Sequence, residues 1–169
     1  LDNSGSLRRA LTDPTRTGDA KAALATQLLT GQVPPDVVAL VSGLVRDRWS
    51  AERDLADALE ELGTEAVLAG ADAAGELLRV EDELFRVERT FVGDTDLRVA
   101  LSSPDLPAQR RTALIDSLLG DATEPTRVIM RRTVGALRQR SITGRLTAIG
   151  EMAAARRRRI VATALVAVP

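Results

Sequence analysis

The chain has 169 residues, of which 44% are hydrophobic, and its 23 basic and 24 acidic residues give a net charge of −1. This composition suits one large or two small globular domains, and the balanced charge does not favour nucleic-acid binding. Cysteine and histidine are both absent, which excludes disulfides and removes the commonest general base and metal ligand. We therefore predict no catalytic, cofactor-binding or metal-binding residues.

The clearest internal pattern is a repeat at a spacing of about 90 residues. Residues 7–14 read LRRALTDP, and residues 97–104 read LRVALSSP. Further matches follow in order: Lys21 with Arg111, Leu24 with Leu114, Leu28 with Leu118, Leu29 with Leu119, Pro35 with Pro125 and, after a one-residue shift, Leu55 with Leu146. A duplicated helical unit without reactive side chains is typical of a scaffold or adaptor.

Capping residues and apolar periodicity predict helices along almost the whole chain, so the predicted fold class is all-α. Residues 7–11 have the pattern of the last turns of a helix that starts before the chain. Further helices are predicted from Asp19 to Leu29, from Pro35 with Val37, Leu40, Val41 and Leu44 buried, from Ser50 with a break or kink near 70–75, from Glu76 to Val92, up to Leu101, from Pro107 to Leu119, from Pro125 to Gln139 and from Ser141 to Arg159.

Two of these helices have especially regular apolar stripes, at alternating spacings of three and four residues. The first stripe consists of Leu77, Val80, Leu84, Val87 and Phe91. The second consists of Ile142, Leu146, Ile149 and Ala153. We expect both stripes to form a core.

The predicted organisation has three parts. A first helical bundle unit, truncated at its N-terminus, occupies residues 1–68, and a second homologous unit occupies 69–159, with the helix at 51–68 assignable to either. Residues 160–169 are β-branched and predict a strand. Because a lone strand is unstable, its partners are expected in a C-terminal domain outside this sequence. The first residue is not methionine, so we expect a fragment.

Two charged clusters have both a functional and a structural explanation. The run Arg156 to Arg159 either stabilises the C-terminal end of a helix or contacts an acidic partner helix or phosphate. The consecutive residues 81–83 are all acidic, but neighbouring side chains on a helix point about 100° apart. We therefore expect a solvated face there.

Trp49 and three glycines within predicted helices suggest packing roles. Trp49 lies at a junction between two helices, where a packing role is favoured over an exposed binding role. Gly43, Gly135 and Gly150 each carry the conformational cost of glycine in a helix. We expect close helix crossings at these positions.

Residues 75–169 contain an ordered series of short motifs. They are Glu81-Asp82-Glu83-Leu84-Phe85-Arg86, Leu97-Arg98-x-Ala100-Leu101-x-x-Pro104, Leu118-Leu119-Gly120, Leu137-Arg138-x-x-x-Ile142-x-x-Arg145-Leu146 and Val161 to Pro169. In order and spacing this series resembles the δ subunit (OSCP) family of F-type ATP synthases. The additional copy upstream, including residues 46–50, is similar to the long δ form of actinobacteria.

The resemblance implies a non-catalytic stator subunit that joins the catalytic head to the peripheral stalk and supports proton-driven ATP synthesis. It implies two partners, the N-terminal helix of an α subunit and a b-type stalk subunit. It also implies a peripheral location on the cytoplasmic face of the bacterial plasma membrane, without a cofactor or nucleic acid.

A groove for a partner helix requires partly exposed apolar side chains at helical spacing. Candidates on one helix and on the facing helix are Leu59, Leu62, Ala66, Val128, Met130 and Val134. Core packing is the competing explanation for each of them.

Two other classes of function remain open at this stage. One is a generic helical scaffold that binds amphipathic helices in another bacterial complex. The other is an enzyme with a carboxylate-only site, which the absence of histidine, cysteine and a nucleotide loop makes the least favoured.

Overall fold

The computed structural model describes residues 4–103, 105–136 and 141–158. Within these ranges the helices are α1 (Gly5–Thr12), α2 (Gly18–Leu29), α3 (Pro35–Arg46), α4 (Glu52–Ala73), α5 (Leu77–Gly93), α6 (Thr95–Ser102), α7 (Ala108–Leu118), α8 (Glu124–Gly135) and α9 (Ile142–Arg157). The predicted all-α fold class is therefore confirmed. The strand predicted for residues 160–169 lies outside the described residues.

The chain divides into two compact units, Leu1–Gly63 and Thr64–Pro169, and the division falls inside α4. In unit 1, α2 packs against α3 and α1 packs against α2. The buried core of unit 1 consists of Leu11, Ala22, Ala25, Val45 and Leu55.

Unit 2 is built around the pairs α5 with α9 and α7 with α8, and α8 also contacts α5 and α9. Its core contains both stripes predicted from the sequence. The buried residues of the first stripe are Leu77, Val80, Leu84 and Phe91, and those of the second are Ile142, Leu146, Ile149 and Ala153. Val87, also of the first stripe, is partly buried and packs against this core.

The helices recur at the spacing of the sequence repeat. The starts of α1, α2, α3 and α4 precede those of α6, α7, α8 and α9 by 89 or 90 residues. The first pair is also capped alike: the Ser4 side chain accepts a hydrogen bond from the Leu7 amide, and Asp94 accepts one from the Leu97 amide. The order and spacing of α1–α4 therefore recur in α6–α9.

Two local predictions were wrong, and one was confirmed. Helix α1 begins within the chain, because Ser4 caps it and Gly5 is its first residue. Helix α4 ends at Ala73 and is followed by Gly75, whose φ of 73° suits glycine, so the break predicted near 70–75 is confirmed. On α3, Val37 and Leu40 are exposed instead of buried, because this helix packs on α2 around Val45.

The predicted close helix crossings at glycine were also wrong. A Cβ atom built on Gly43, Gly135 or Gly150 would meet no described neighbour within 4 Å. Close packing by the described helices therefore does not explain these glycines.

Candidate functional site

The six residues predicted to line a partner groove differ in location and exposure. Leu59 and Leu62 are partly buried in unit 1, and Ala66 is exposed in unit 2. On α8, Val128 is partly buried, whereas Met130 and Val134 have no exposed area and belong to the core of unit 2. Since a docking residue must offer exposed surface, Ala66 and Val128 are the accessible candidates in this unit.

A groove of about 520 Å³ lies between α5 and α9, and we call it the α5–α9 groove. Leu78 and Phe85 line it from α5, and Gly150 and Ala154 line it from α9. Its acidic lining residues are Glu81, Asp82, Glu88 and Glu151, and Arg157 is its basic one. Sequence reasoning missed this groove, although a glycine inside a helix was a signal.

A second crevice of about 400 Å³ lies between α5 and α7, with Leu97 of α6 in its lining. The buried side chains Phe91, Ile115 and Leu119 line it, and Leu118 is half exposed beside them. Both crevices belong to unit 2, and each is lined by charged as well as apolar residues.

Glu83 is the most constrained acidic residue in unit 2. One oxygen, Oε2, accepts hydrogen bonds from the Thr123 amide at 3.0 Å and from the Thr123 and Thr126 hydroxyls at 2.7 and 2.6 Å. The other oxygen accepts from Arg79 Nε at 3.0 Å. Thr123 is the N-cap of α8, so this carboxylate of α5 holds the positive end of α8.

The environment of Glu83 changes its protonation. Burial raises the pKa of this carboxyl, but the hydrogen bonds from Thr126, Thr123 and Arg79 outweigh burial and bring the pKa below its usual range. The prediction of a solvated acidic face therefore fails at Glu83, which is buried. The three side chains nevertheless point in different directions, as the sequence predicts, because Glu81 pairs with Arg157 and Asp82 pairs with Arg86.

The arginines at the end of α9 make contacts within unit 2. Arg156 lies 3.3 Å from Glu65 and 3.3 Å from Asp72, both on α4. Arg157 lies 3.1 Å from Glu81 on α5. These two side chains therefore attach the end of α9 to its neighbours, and Arg159 lies outside the described residues.

Two side chains of unit 1, one from α2 and one that follows α3, donate hydrogen bonds to carbonyls at the end of α3. Trp49 packs partly buried against the core of unit 1, and its indole Nε1 donates to the Leu44 carbonyl at 3.0 Å. Lys21 is buried and donates to the Asp47 carbonyl at 2.7 Å. The location of Trp49 supports the packing role predicted from sequence.

The described residues contain no group of three or more acidic side chains arranged to hold a metal ion. No helix in the described ranges combines the length and the hydrophobicity needed to cross a membrane.

Comparison with known proteins identifies the family. The family model "ATP synthase delta (OSCP) subunit" matches residues 60–169. Proteins named ATP synthase subunit delta are 53% identical in Beutenbergia cavernae and 48% identical in Streptomyces griseus, each over 170 residues that cover 100% of this chain and 63% of the relative. A third, from Streptomyces coelicolor, is 47% identical over 170 residues, covering 100% of this chain and 62% of the relative.

These similarities extend over the whole chain, including the upstream copy that the family model does not reach. The chain belongs to the ATP synthase delta (OSCP) subunit family. It spans slightly less than two thirds of the length of these relatives. The resemblance to the actinobacterial members of the family is thereby confirmed.

Proposed function

We propose that this chain acts as the helical part of a non-catalytic peripheral-stalk subunit of an F-type ATP synthase, and that it supports proton-driven ATP synthesis by holding the head to the stalk. The observation that carries this proposal is the similarity to delta subunits along the full chain. Membership of this family favours the stator over a generic scaffold.

The proposed partners are the N-terminal helix of an α subunit and a b-type stalk subunit, and the proposed location is peripheral, on the cytoplasmic face of the plasma membrane. Within unit 2, the accessible apolar side chains Ala66 and Val128 are the proposed contacts for the α helix. The buried residues Met130 and Val134 support α8 from within the core.

A peptide titration tests the α contact. The 169-residue chain is titrated with a peptide of the N-terminal segment of α from the same organism, and binding is followed by amide chemical shifts. Ala66→Glu is expected to weaken binding by about tenfold, since it places a charge on the proposed apolar contact. Ala113→Glu, at an exposed position of α7, is the matched control and is expected to bind like the unmodified chain.

Failure of the α peptide to shift any amide resonance at saturating concentration would contradict the proposed α contact. Equal losses for Ala66→Glu and Ala113→Glu would contradict the location of that contact. Co-purification with b-type and α subunits from the same organism separately tests membership of the stalk.

A further inference from the structure

Helix α5 carries a stripe of large apolar side chains on a face about 100° from its core stripe, since each of them directly follows a core residue. Leu78, Phe85 and Val92 follow one another at seven-residue intervals, and they are 65%, 55% and 63% exposed. Residues at this spacing lie on one face of a helix. Large exposed apolar side chains aligned on one helix face are a feature of interaction sites on proteins.

The stripe borders the α5–α9 groove, where Leu78 and Phe85 line one wall. On the other wall, Gly150 lies inside α9, and a Cβ built on it would meet nothing within 4 Å. Glycine inside a helix is less stable than alanine but permits close approach of another backbone. Packing of the described helices does not use that freedom, so the space above Gly150 is available to a partner.

The charge around the groove selects the occupant. Four carboxylates and one guanidinium line it, and a second guanidinium, that of Arg89, lies 6.0 Å from the centre of the Phe85 ring. Glu81 pairs with Arg157, Asp82 with Arg86, and Glu88 accepts a hydrogen bond from Thr147. No side chain among the described residues forms an ion pair or hydrogen bond with the Glu151 carboxylate.

Acidic surfaces attract basic partners and repel copies of themselves. A second copy of this chain that docked through the same face would bring its own carboxylates against these. An anionic membrane surface would be repelled for the same reason. Charge complementarity therefore favours a basic partner with an apolar stripe.

We propose that the α5–α9 groove binds a basic amphipathic helix, whose apolar side chains pack between Phe85 and Gly150 and whose flanking Lys or Arg side chains pair with Glu88 and Glu151. This surface is separate from the proposed contacts of the α helix at Ala66 and Val128. The inference rests on α5 and α9 alone and does not depend on the stator function.

Synthetic helical peptides test the proposal on the full 169-residue chain. One peptide carries leucine at positions i, i+3, i+4 and i+7 with lysine on both flanks, and its counterpart carries glutamate in place of lysine. We expect the lysine peptide to bind at least about tenfold more tightly, to shift the amides of Phe85 and Gly150, and to weaken as salt is added.

Two glycine variants locate the binding site. Gly150→Leu fills the groove and raises helix propensity, so the fold is retained while peptide affinity falls by about tenfold or more. Gly70→Leu is the matched control, because Gly70 also lies inside a helix of unit 2 with open space around a built Cβ. Its peptide affinity is expected to remain unchanged. Glu151→Lys is expected to weaken the lysine peptide and strengthen its glutamate counterpart.

Each other outcome overturns the proposal. Equal binding of the two peptides, no binding up to about 1 mM, or equal effects of Gly150→Leu and Gly70→Leu would exclude a basic helix as the occupant. Sedimentation that shows a dimer, abolished by Gly150→Leu, would assign the groove to a second copy. If the α peptide does not bind, the tests of the α5–α9 groove keep their meaning, because the α-peptide titration probes the separate contact at Ala66.

Discussion

The segments α1–α3 and α6–α8 have nearly the same helix lengths and spacing, yet they bury different faces. Leu11 and Leu101 occupy matching positions and are buried in both segments. Leu40 and Met130 match in the register of Pro35 and Pro125, but Leu40 is 49% exposed and Met130 is 0% exposed.

The difference between Leu40 and Met130 follows from the neighbouring helices. Helix α8 contacts α5 and α9 as well as α7, whereas α3 packs mainly on α2. Matching local sequences give the two segments matching helix starts. Whether an apolar side chain becomes core or surface is decided by the elements that cover it.

The largest expected effect comes from truncating the matched pair Leu40 and Met130. Met130→Ala should destabilise unit 2 by about 2–5 kcal/mol, because it leaves a cavity among fully buried side chains. Leu40→Ala should cost less than about 1 kcal/mol, since its side chain is already half exposed. Native-state hydrogen exchange measures both effects and assigns each to its unit. Equal losses would contradict the difference in burial.

The next largest effect is expected at Glu83 of α5, whose carboxylate accepts hydrogen bonds from Thr123, the N-cap residue of α8. Glu83→Gln should destabilise unit 2 by about 1–3 kcal/mol at pH 7, because it removes the charge that Thr123, Thr126 and Arg79 stabilise. Thermal or urea denaturation measures the loss. Asp82→Gln is the control: Asp82 is an exposed neighbour on α5, and its loss should stay below about 1 kcal/mol.

The pH dependence gives an independent test of the Glu83 contact. Its pKa in the folded protein lies below its usual range, so its stabilising contribution is complete above the unfolded-state pKa and is lost as pH falls through the folded-state pKa. The difference in the free energy of unfolding between the parent chain and Glu83→Gln should therefore become smaller as the pH is lowered. A difference that stays constant down to pH values below the folded-state pKa would show that burial, and not the charge, is responsible.

Signals within a single helix predicted much of this fold. The three-and-four spacing of Leu77, Val80 and Leu84 was sufficient for α5, because a regular stripe on one face leaves few other ways to bury it. Ser141 marked a helix start correctly, since its side chain accepts a hydrogen bond from the Gly144 amide in the first turn. Family resemblance added the class of protein, which no single residue carries.

Features that depend on contacts between distant residues were missed. The carboxylate of Glu83 is held by Thr123, 40 positions away, and nothing in the sequence near Glu83 distinguishes it from Glu81. The exposure of Leu40 and the burial of Val134 likewise depend on which helices cover them. The groove beside Gly150 is defined by α5 and α9 together, so the glycine alone was misread as a helix crossing.

A smaller difference is expected at the matched basic residues Lys21 and Arg111. Lys21 is buried and donates to the Asp47 carbonyl at 2.7 Å, whereas Arg111 is partly buried and donates to the Ser103 carbonyl at 3.2 Å. Lys21→Met should destabilise unit 1 by about 1–2 kcal/mol, since it leaves that carbonyl without its donor. Arg111→Met should cost less, because water can replace a longer and more accessible hydrogen bond. Urea denaturation compares the two, and a larger loss for Arg111→Met would reverse the ranking.

The last comparison tests whether corresponding turns behave alike in both segments. Gly31 after α2 and Gly120 after α7 have φ values of 77° and 46°, where a side chain is strained. Alanine at either position should therefore cost about 1–2 kcal/mol. Gly43→Ala lies in open space within α3 and should instead stabilise unit 1 by up to about 1 kcal/mol. Urea midpoints that fall for the first two variants and rise for the third would show that equivalent turns persist while the covered faces differ. A loss at only one turn would show that the two segments differ in backbone as well as in burial.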